Sequence, residues 1–200
     1  MDSVCLDLAG IVNDSIVDGP GIRVTIFAQG CPHHCEGCHN PESHPFGVGT
    51  KVPVEELVRV VRGNPLAKGV TFSGGEPFCQ AEGFLCLAKQ LKPLGYELAA
   101  YTGYTWEQLI EGSPAQRALL ETLDVLVDGP FILAQRNLDL RFRGSENQRI
   151  LDVPKSLAAN APVWYDGERW TGARENIKPE HSGGQIAKRR KREVTYENAF

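Results

Sequence analysis

This 200-residue sequence predicts an α/β fold in which βαβ units build a parallel sheet that curls into a partial, open barrel. Three observations carry that reading. Short apolar or β-branched runs alternate with helical patterns four times between residues 24 and 127. Each run ends in a loop rich in Gly, Pro, Thr or Cys, so the chemistry-bearing residues gather at one edge of the sheet. Only four or five such units fit before about residue 153, too few to close an eight-stranded barrel. A 42% apolar composition suits one well-cored domain rather than two.

The first run, 24–29 (VTIFAQ), reads as a strand that delivers the chain to an aperiodic loop over 30–45, rich in Pro, His, Gly and Asn. Residues 52–61 place Val54, Leu57, Val58 and Val61 on one helical face, with Pro53 in the first turn. A second strand over 69–72 runs into Ser73-Gly74-Gly75-Glu76-Pro77, where paired glycines and a proline force a turn. Residues 84–91 are helical and are closed by Pro93 and Gly95. The third strand, 96–101, leads into Thr102-Gly103-Tyr104, and Thr105 is the N-cap of a helical turn over 106–110, followed by another over 114–122. The fourth strand, 123–127, ends in Asp128-Gly129-Pro130. Beyond Pro154 the pattern weakens. The expected division is a core domain over 1–153, an irregular C-terminal elaboration over 154–187 and a basic tail over 188–200.

Charge and targeting signals narrow the function class. The net charge is −4, yet the tail holds five consecutive bases (Lys188, Arg189, Arg190, Lys191, Arg192) against Glu193 and Glu197. That segment is +3 and the rest of the chain −7, so the body is acidic and direct nucleic-acid binding is not expected. No run of eighteen apolar residues exists, and residues 1–10 lack the basic start of a secretory leader. A cytoplasmic protein is expected, with no membrane partner and with its six cysteines reduced.

Three of those cysteines form the strongest signal. Cys31, Cys35 and Cys38 have the spacing C-x3-C-x2-C, which 3% cysteine would produce by chance in only ~0.005 of chains this long. Three thiolates on one short loop reach three corners of a 4Fe–4S cubane, while Cys5, Cys79 and Cys86 offer no matching fourth ligand and read as packed thiols. One iron is then left open to an exogenous ligand. The alternative is a zinc site that adds His33, His34 or His39 in a non-catalytic interaction module. Zinc usually cross-links two separated ligand pairs, and a single eight-residue loop staples little. His33 and His34 are expected to face solvent or a partner.

The cysteine loop, the Gly-Gly-Glu-Pro turn and the strand order resemble the radical S-adenosylmethionine superfamily. Finer motifs resemble one branch of it, the activating proteins of anaerobic ribonucleoside-triphosphate reductase. These are Asp18-Gly-Pro-Gly-Ile-Arg23, Cys38-His-Asn-Pro41, Tyr101-Thr-Gly-Tyr-Thr105, Asp124-Val-Leu-Val-Asp-Gly-Pro-Phe131, Arg141-Phe-Arg-Gly-Ser145 and Asn147-Gln-Arg149. The match runs from about residue 8 to 153.

The resemblance implies a 4Fe–4S cluster on Cys31, Cys35 and Cys38 and an S-adenosylmethionine site drawn from Gly37, Cys38, His39, Gly74, Gly75, Glu76, Thr102 and Asp128. It assigns Gly75 to the methionine end of the cofactor, Glu76 to orienting the turn or the ammonium, and Thr102 with Asp128 to the walls near ribose and carboxylate. Related activases carry an acid near the third strand end, where this chain has Tyr101. Arg141, Arg143 and Arg149 form a basic patch open to cofactor, partner or solvent. The implied reaction is reductive cleavage to a 5′-deoxyadenosyl radical that makes a glycyl radical on the reductase large chain, with electrons from flavodoxin or ferredoxin. No acid–base residue is needed beyond cluster and cofactor. The nearest rival is an activase for another glycyl-radical enzyme such as pyruvate formate-lyase.

Overall fold

The computed structural model describes residues 4–172, so the basic tail and residues 173–187 lie outside the described residues. Seven strands form one sheet: β1 (Cys5–Ser15), β2 (Arg23–Ala28), β3 (Thr50–Pro53), β4 (Gly69–Gly74), β5 (Glu97–Tyr101), β6 (Val125–Asp128) and β7 (Arg149–Asp152). Their order is β3-β1-β2-β4-β5-β6-β7. The central four, β2, β4, β5 and β6, are parallel and in register from Arg23↔Gly69 to Tyr101↔Val127. These are the four strands legible in the sequence. Antiparallel additions flank them: β1 and β3 on one side, β7 on the other. Edges β3 and β7 do not meet, so the barrel stays open.

Helices α1 (Val54–Gly63), α2 (Ala81–Leu91), α3 (Trp106–Ile110) and α4 (Pro114–Thr122) connect the parallel strands. Helix α1 starts directly after extended Pro53, carries Glu55 and Glu56 in its first turn and buries Val54, Leu57 and Val61. Helices α3 and α4 each begin with a capping box, Thr105 with Gln108 and Ser113 with Gln116. Because side chains alternate along a strand, one face of the sheet presents Val24, Ile26, Val70, Phe72, Leu98, Ala100 and Leu126 to these helices. The opposite face holds a smaller cluster of Ala99, Val125, Val127 and Ile150.

Trp170 belongs to that second cluster and is fully buried. It comes from α6 (Glu168–Thr171), which follows α5 (Val153–Ala159), so residues past 153 contribute two short helices and a core side chain. Trp170 lies over the buried guanidinium of Arg23, 5.3 Å from its ring centroid. Arg23 also donates to Thr71 Oγ1 and Glu97 Oε1 at 2.7 Å each, and to the carbonyls of Val70 and Glu97 at 3.0 Å. This closes the end of the sheet where the parallel strands begin. Gly19 sits beside it at φ +136°, and a Cβ there would stand 2.7 Å from Trp170 and 2.8 Å from Arg23. The Asp18-Gly-Pro-Gly-Ile-Arg23 motif is thus, in part, a packing motif.

Candidate metal centre and cofactor cleft

A cleft of about 780 Å³ opens at the C-terminal ends of the parallel strands, on the face away from the helices. Strand β2 delivers the chain to it through Gly30, whose N–H donates to Ser43 O, and Cys31, whose N–H donates to His44 O. The loop then turns tightly, with Cys38 N–H on Cys35 O at 3.2 Å and Asn40 N–H on the Cys38 sulfur at 3.4 Å. Cys31, Cys35 and Cys38 all line the cleft; Cys31 is buried and the other two are half-buried. Burial pushes the Cys31 thiol up to about 11, helped by the Glu76 carboxylate and its two sister cysteines, while a hydrogen bond from the His33 main chain pulls it down. Metal binding at Cys31 therefore displaces a proton.

The turn after β4 is packed backbone to backbone against the base of this loop. Gly75 N–H donates to Ala28 O and Glu76 N–H to Gly30 O, each at 2.8 Å. An added Cβ on Gly75 would overlap Gly30 O and come within 2.9 Å of Ser43 O. Gly74 has φ +93° and is equally tight against Ala28. Only glycine fits at either position, and the main chain of the turn is left facing the cleft beside the cysteines.

The expected cofactor residues divide into two groups. His39, Gly74, Gly75 and Thr102 line the cleft with the cysteines. Gly37, Glu76 and Asp128 are not among its lining residues. Gly37, at φ +71°, turns the cysteine loop against Leu133. Glu76 is fully buried and accepts from Phe78 N–H (3.0 Å), Thr102 Oγ1 (2.9 Å), Gly103 N–H (2.9 Å) and His33 Nε2 (2.8 Å). Asp128, 1% exposed, accepts from Trp106 N–H at 2.7 Å and from Arg149 at 2.9 and 2.5 Å. Both carboxylates tie loops together from behind the cleft wall.

The basic residues are dispersed rather than pooled. Arg149 is consumed by Asp128 and Glu107. Arg143 lines the cleft, donates to the carbonyls of Glu146 and Gln148 and lies over Trp164. Arg141 lies over Phe142. His33, expected to face solvent or a partner, lines the cleft with its ring turned to Glu76 and edge-on to Tyr104, ring centroids 4.6 Å apart. Its partner is 43 residues away, so nothing local in the sequence signals the pairing. Of the remaining thiols, Cys79 lies 3.9 Å from the Tyr104 hydroxyl and Cys86 accepts from Gln90.

This donor set fits a cluster with three protein ligands. A cubane places each thiolate on a different iron, which suits three cysteines spread along a turn. No described residue brings a fourth cysteine to the cleft. No helix among the described residues is long and apolar enough to cross a membrane.

Comparison with known proteins agrees with the geometry. A 4Fe–4S single cluster domain family matches residues 17–151. An anaerobic ribonucleoside-triphosphate reductase-activating protein from Vibrio cholerae is 36% identical over 143 residues, 68% of this chain and 90% of that protein. The pyruvate formate-lyase-activating enzyme of Clostridium pasteurianum is 41% identical over 95 residues, but these cover only 44% of this chain and 40% of that one. Among solved structures, QueE from Escherichia coli gives a TM-score of 0.41 at 19% identity over 50% of this chain and 54% of that one, a partial likeness only. The long match, nearly end to end on the relative, singles out one branch: the chain belongs to the family of anaerobic ribonucleoside-triphosphate reductase-activating proteins, built on a 4Fe–4S single cluster domain.

Proposed function

We propose that this enzyme generates the glycyl radical of an anaerobic ribonucleoside-triphosphate reductase, using a 4Fe–4S cluster and S-adenosylmethionine. The observation that carries the reading is the junction of the Gly74–Gly75 turn with the base of the three-cysteine loop inside one cleft. When bound, cluster and cofactor supply a one-electron cleavage of the sulfonium to methionine and a 5′-deoxyadenosyl radical, which takes hydrogen from a glycine Cα of the reductase.

The chain's own residues hold and orient. Cys31, Cys35 and Cys38 are the cluster ligands. The exposed backbone of Gly74 and Gly75 receives the amino-acid end of the cofactor, and His39 and Thr102 form walls of its site. Gly37, Glu76 and Asp128 act one layer back, by fixing the loops that carry those walls. No side chain has to move a proton. The open edge of the sheet leaves the cleft accessible to a macromolecule's glycine loop. A flavodoxin or ferredoxin supplies the electron, and the reaction takes place in an anaerobic cytoplasm.

Chain reconstituted anaerobically with iron and sulfide, then given dithionite and S-adenosylmethionine, is expected to form 5′-deoxyadenosine, and Cys35→Ala to abolish it. Mixing it with the reductase large chain is expected to give a glycyl-radical doublet in electron paramagnetic resonance. Pyruvate formate-lyase in its place is expected to give none. Stoichiometric zinc, no iron–sulfur absorbance and no cofactor cleavage would sink the proposal and leave the zinc module standing.

A further inference from the structure

His33 is held on three sides. Its Nε2 meets the buried Glu76 carboxylate at 2.8 Å, its ring stands edge-on to Tyr104, and Gly103 lies so close that an added Cβ would overlap the imidazole. Its remaining side lines the cleft, where the side chain is 17% exposed. Glu76, the residue it meets, also accepts from Gly103 N–H and Thr102 Oγ1 at the end of β5, and from Phe78 N–H beyond the glycine turn. Glu76 is therefore the point where three loops meet, the cysteine loop, the turn after β4 and the loop after β5. His33 supplies the only side-chain hydrogen bond among these by which the cysteine loop joins. The same contact gives a reason for glycine at position 103 in the Tyr101-Thr102-Gly103-Tyr104 motif.

We propose that His33 is a positioning residue: through Glu76 it sets the cysteine loop at a fixed register to the Gly74–Gly75 turn, and so sets the affinity of the cleft for S-adenosylmethionine. The inference rests on the function proposed above for the identity of the ligand, but the tie is a property of the protein. A cofactor that must bridge the cluster and the turn gains most when the two are pre-set, because no binding free energy goes into ordering one against the other. Losing a charge-assisted hydrogen bond to a buried carboxylate then weakens cofactor binding, while the three thiolates that hold the iron remain.

The full chain is compared in three forms, wild type, His33→Phe and His33→Gln. Phenylalanine keeps a flat ring against Tyr104 without a donor; glutamine places an amide N–H near the position of Nε2. Iron content is expected to be equal in all three. His33→Phe is expected to bind S-adenosylmethionine about tenfold to a hundredfold more weakly, and to lose most of the change that the cofactor causes in the spectrum of the reduced cluster. His33→Gln is expected to recover both. Amide hydrogen exchange at Gly103 and Phe78 is expected to rise about tenfold in His33→Phe and not in His33→Gln. Wild-type affinity and spectra in His33→Phe, or equal loss in both variants, overturn the proposal. If His33→Phe loses iron, exchange in the protein as purified decides: unchanged rates overturn the tie and faster rates support it. A wild-type chain that holds iron but neither binds nor cleaves the cofactor refutes the proposed function instead, and the exchange rates still judge the tie.

Discussion

Replacing Arg23 tests whether the far end of the sheet is held by charge or by volume. The guanidinium is fully buried, and burial lowers its pKa while the bond to Glu97 raises it. It fills four hydrogen bonds, to Thr71, Val70 and Glu97, beneath the ring of Trp170. Arg23→Ala removes the bonds to Thr71 and to the Val70 and Glu97 carbonyls, leaves the Glu97 carboxylate only its exposed partner Arg169 at 3.3 Å, and opens a void under Trp170. Removing one member of such a pair costs about 3–5 kcal/mol, which corresponds to a melting point lower by about 6–20 °C for a domain of this size. The double substitution Arg23→Met with Glu97→Leu removes both charges and restores volume, so it is expected to recover most of the loss. Urea and thermal denaturation followed by circular dichroism measure all three proteins. An Arg23→Ala protein within about 1 kcal/mol of wild type, or a double variant no better than the single, refutes the reasoning. Iron content is expected to change little in folded protein, because the cysteines stand at the opposite ends of the strands.

Two further outcomes are expected. Gly75→Ala forces a methyl group onto Gly30 O and Ser43 O, neither of which can yield as a side chain would; a stability loss of about 1–3 kcal/mol and weaker cofactor binding are expected, read by denaturation and equilibrium binding. Hydrogen bonds from Arg149 hold the Glu107 carboxyl down to about 2 from its usual 4.5. A depressed carboxylate stabilises the fold fully above its ordinary value, so this contribution is expected to fade as pH falls from 4.5 towards 2, and Glu107→Gln to lose that part of the acid dependence in denaturation series.

The parallel strands were legible because both their faces are covered: a strand buried on two sides is written as a near-continuous apolar run, as in Val-Thr-Ile-Phe or Val-Leu-Val. Strands β1, β3 and β7 carry no such run. Strand β1 is interrupted by Asp7, Gly10, Asn13 and Asp14 and carries register shifts, β3 includes Pro53, and β7 has only Ile150 and Leu151 between Arg149 and Asp152; pairing with β2, β1 and β6 makes them strands. In the cleft, the cysteines and Gly74–Gly75 were visible because their chemistry and spacing are local. The placements of Glu76 and Asp128 behind the wall were not, because their partners lie 26 and 21 residues away, on the loop after β5 and on β7. A buried acid at the end of a strand reads the same in sequence whether it faces a ligand or a neighbouring loop.

Trp170 also has a consequence for the order in which the protein is made. A chain emerging from the ribosome presents Arg23 and the beginnings of β2, β4 and β5 well before residue 170 has left the exit tunnel. Until then the buried face of the Arg23 guanidinium has no lid, and the cluster of Ala99, Val125, Val127 and Ile150 lacks its largest member. The helices on the other face can pack against the sheet during synthesis, whereas the cofactor side is completed only after residue 170 has emerged. A premature stop shortly after β7 therefore yields a chain with its cysteine loop intact and its sheet unfinished.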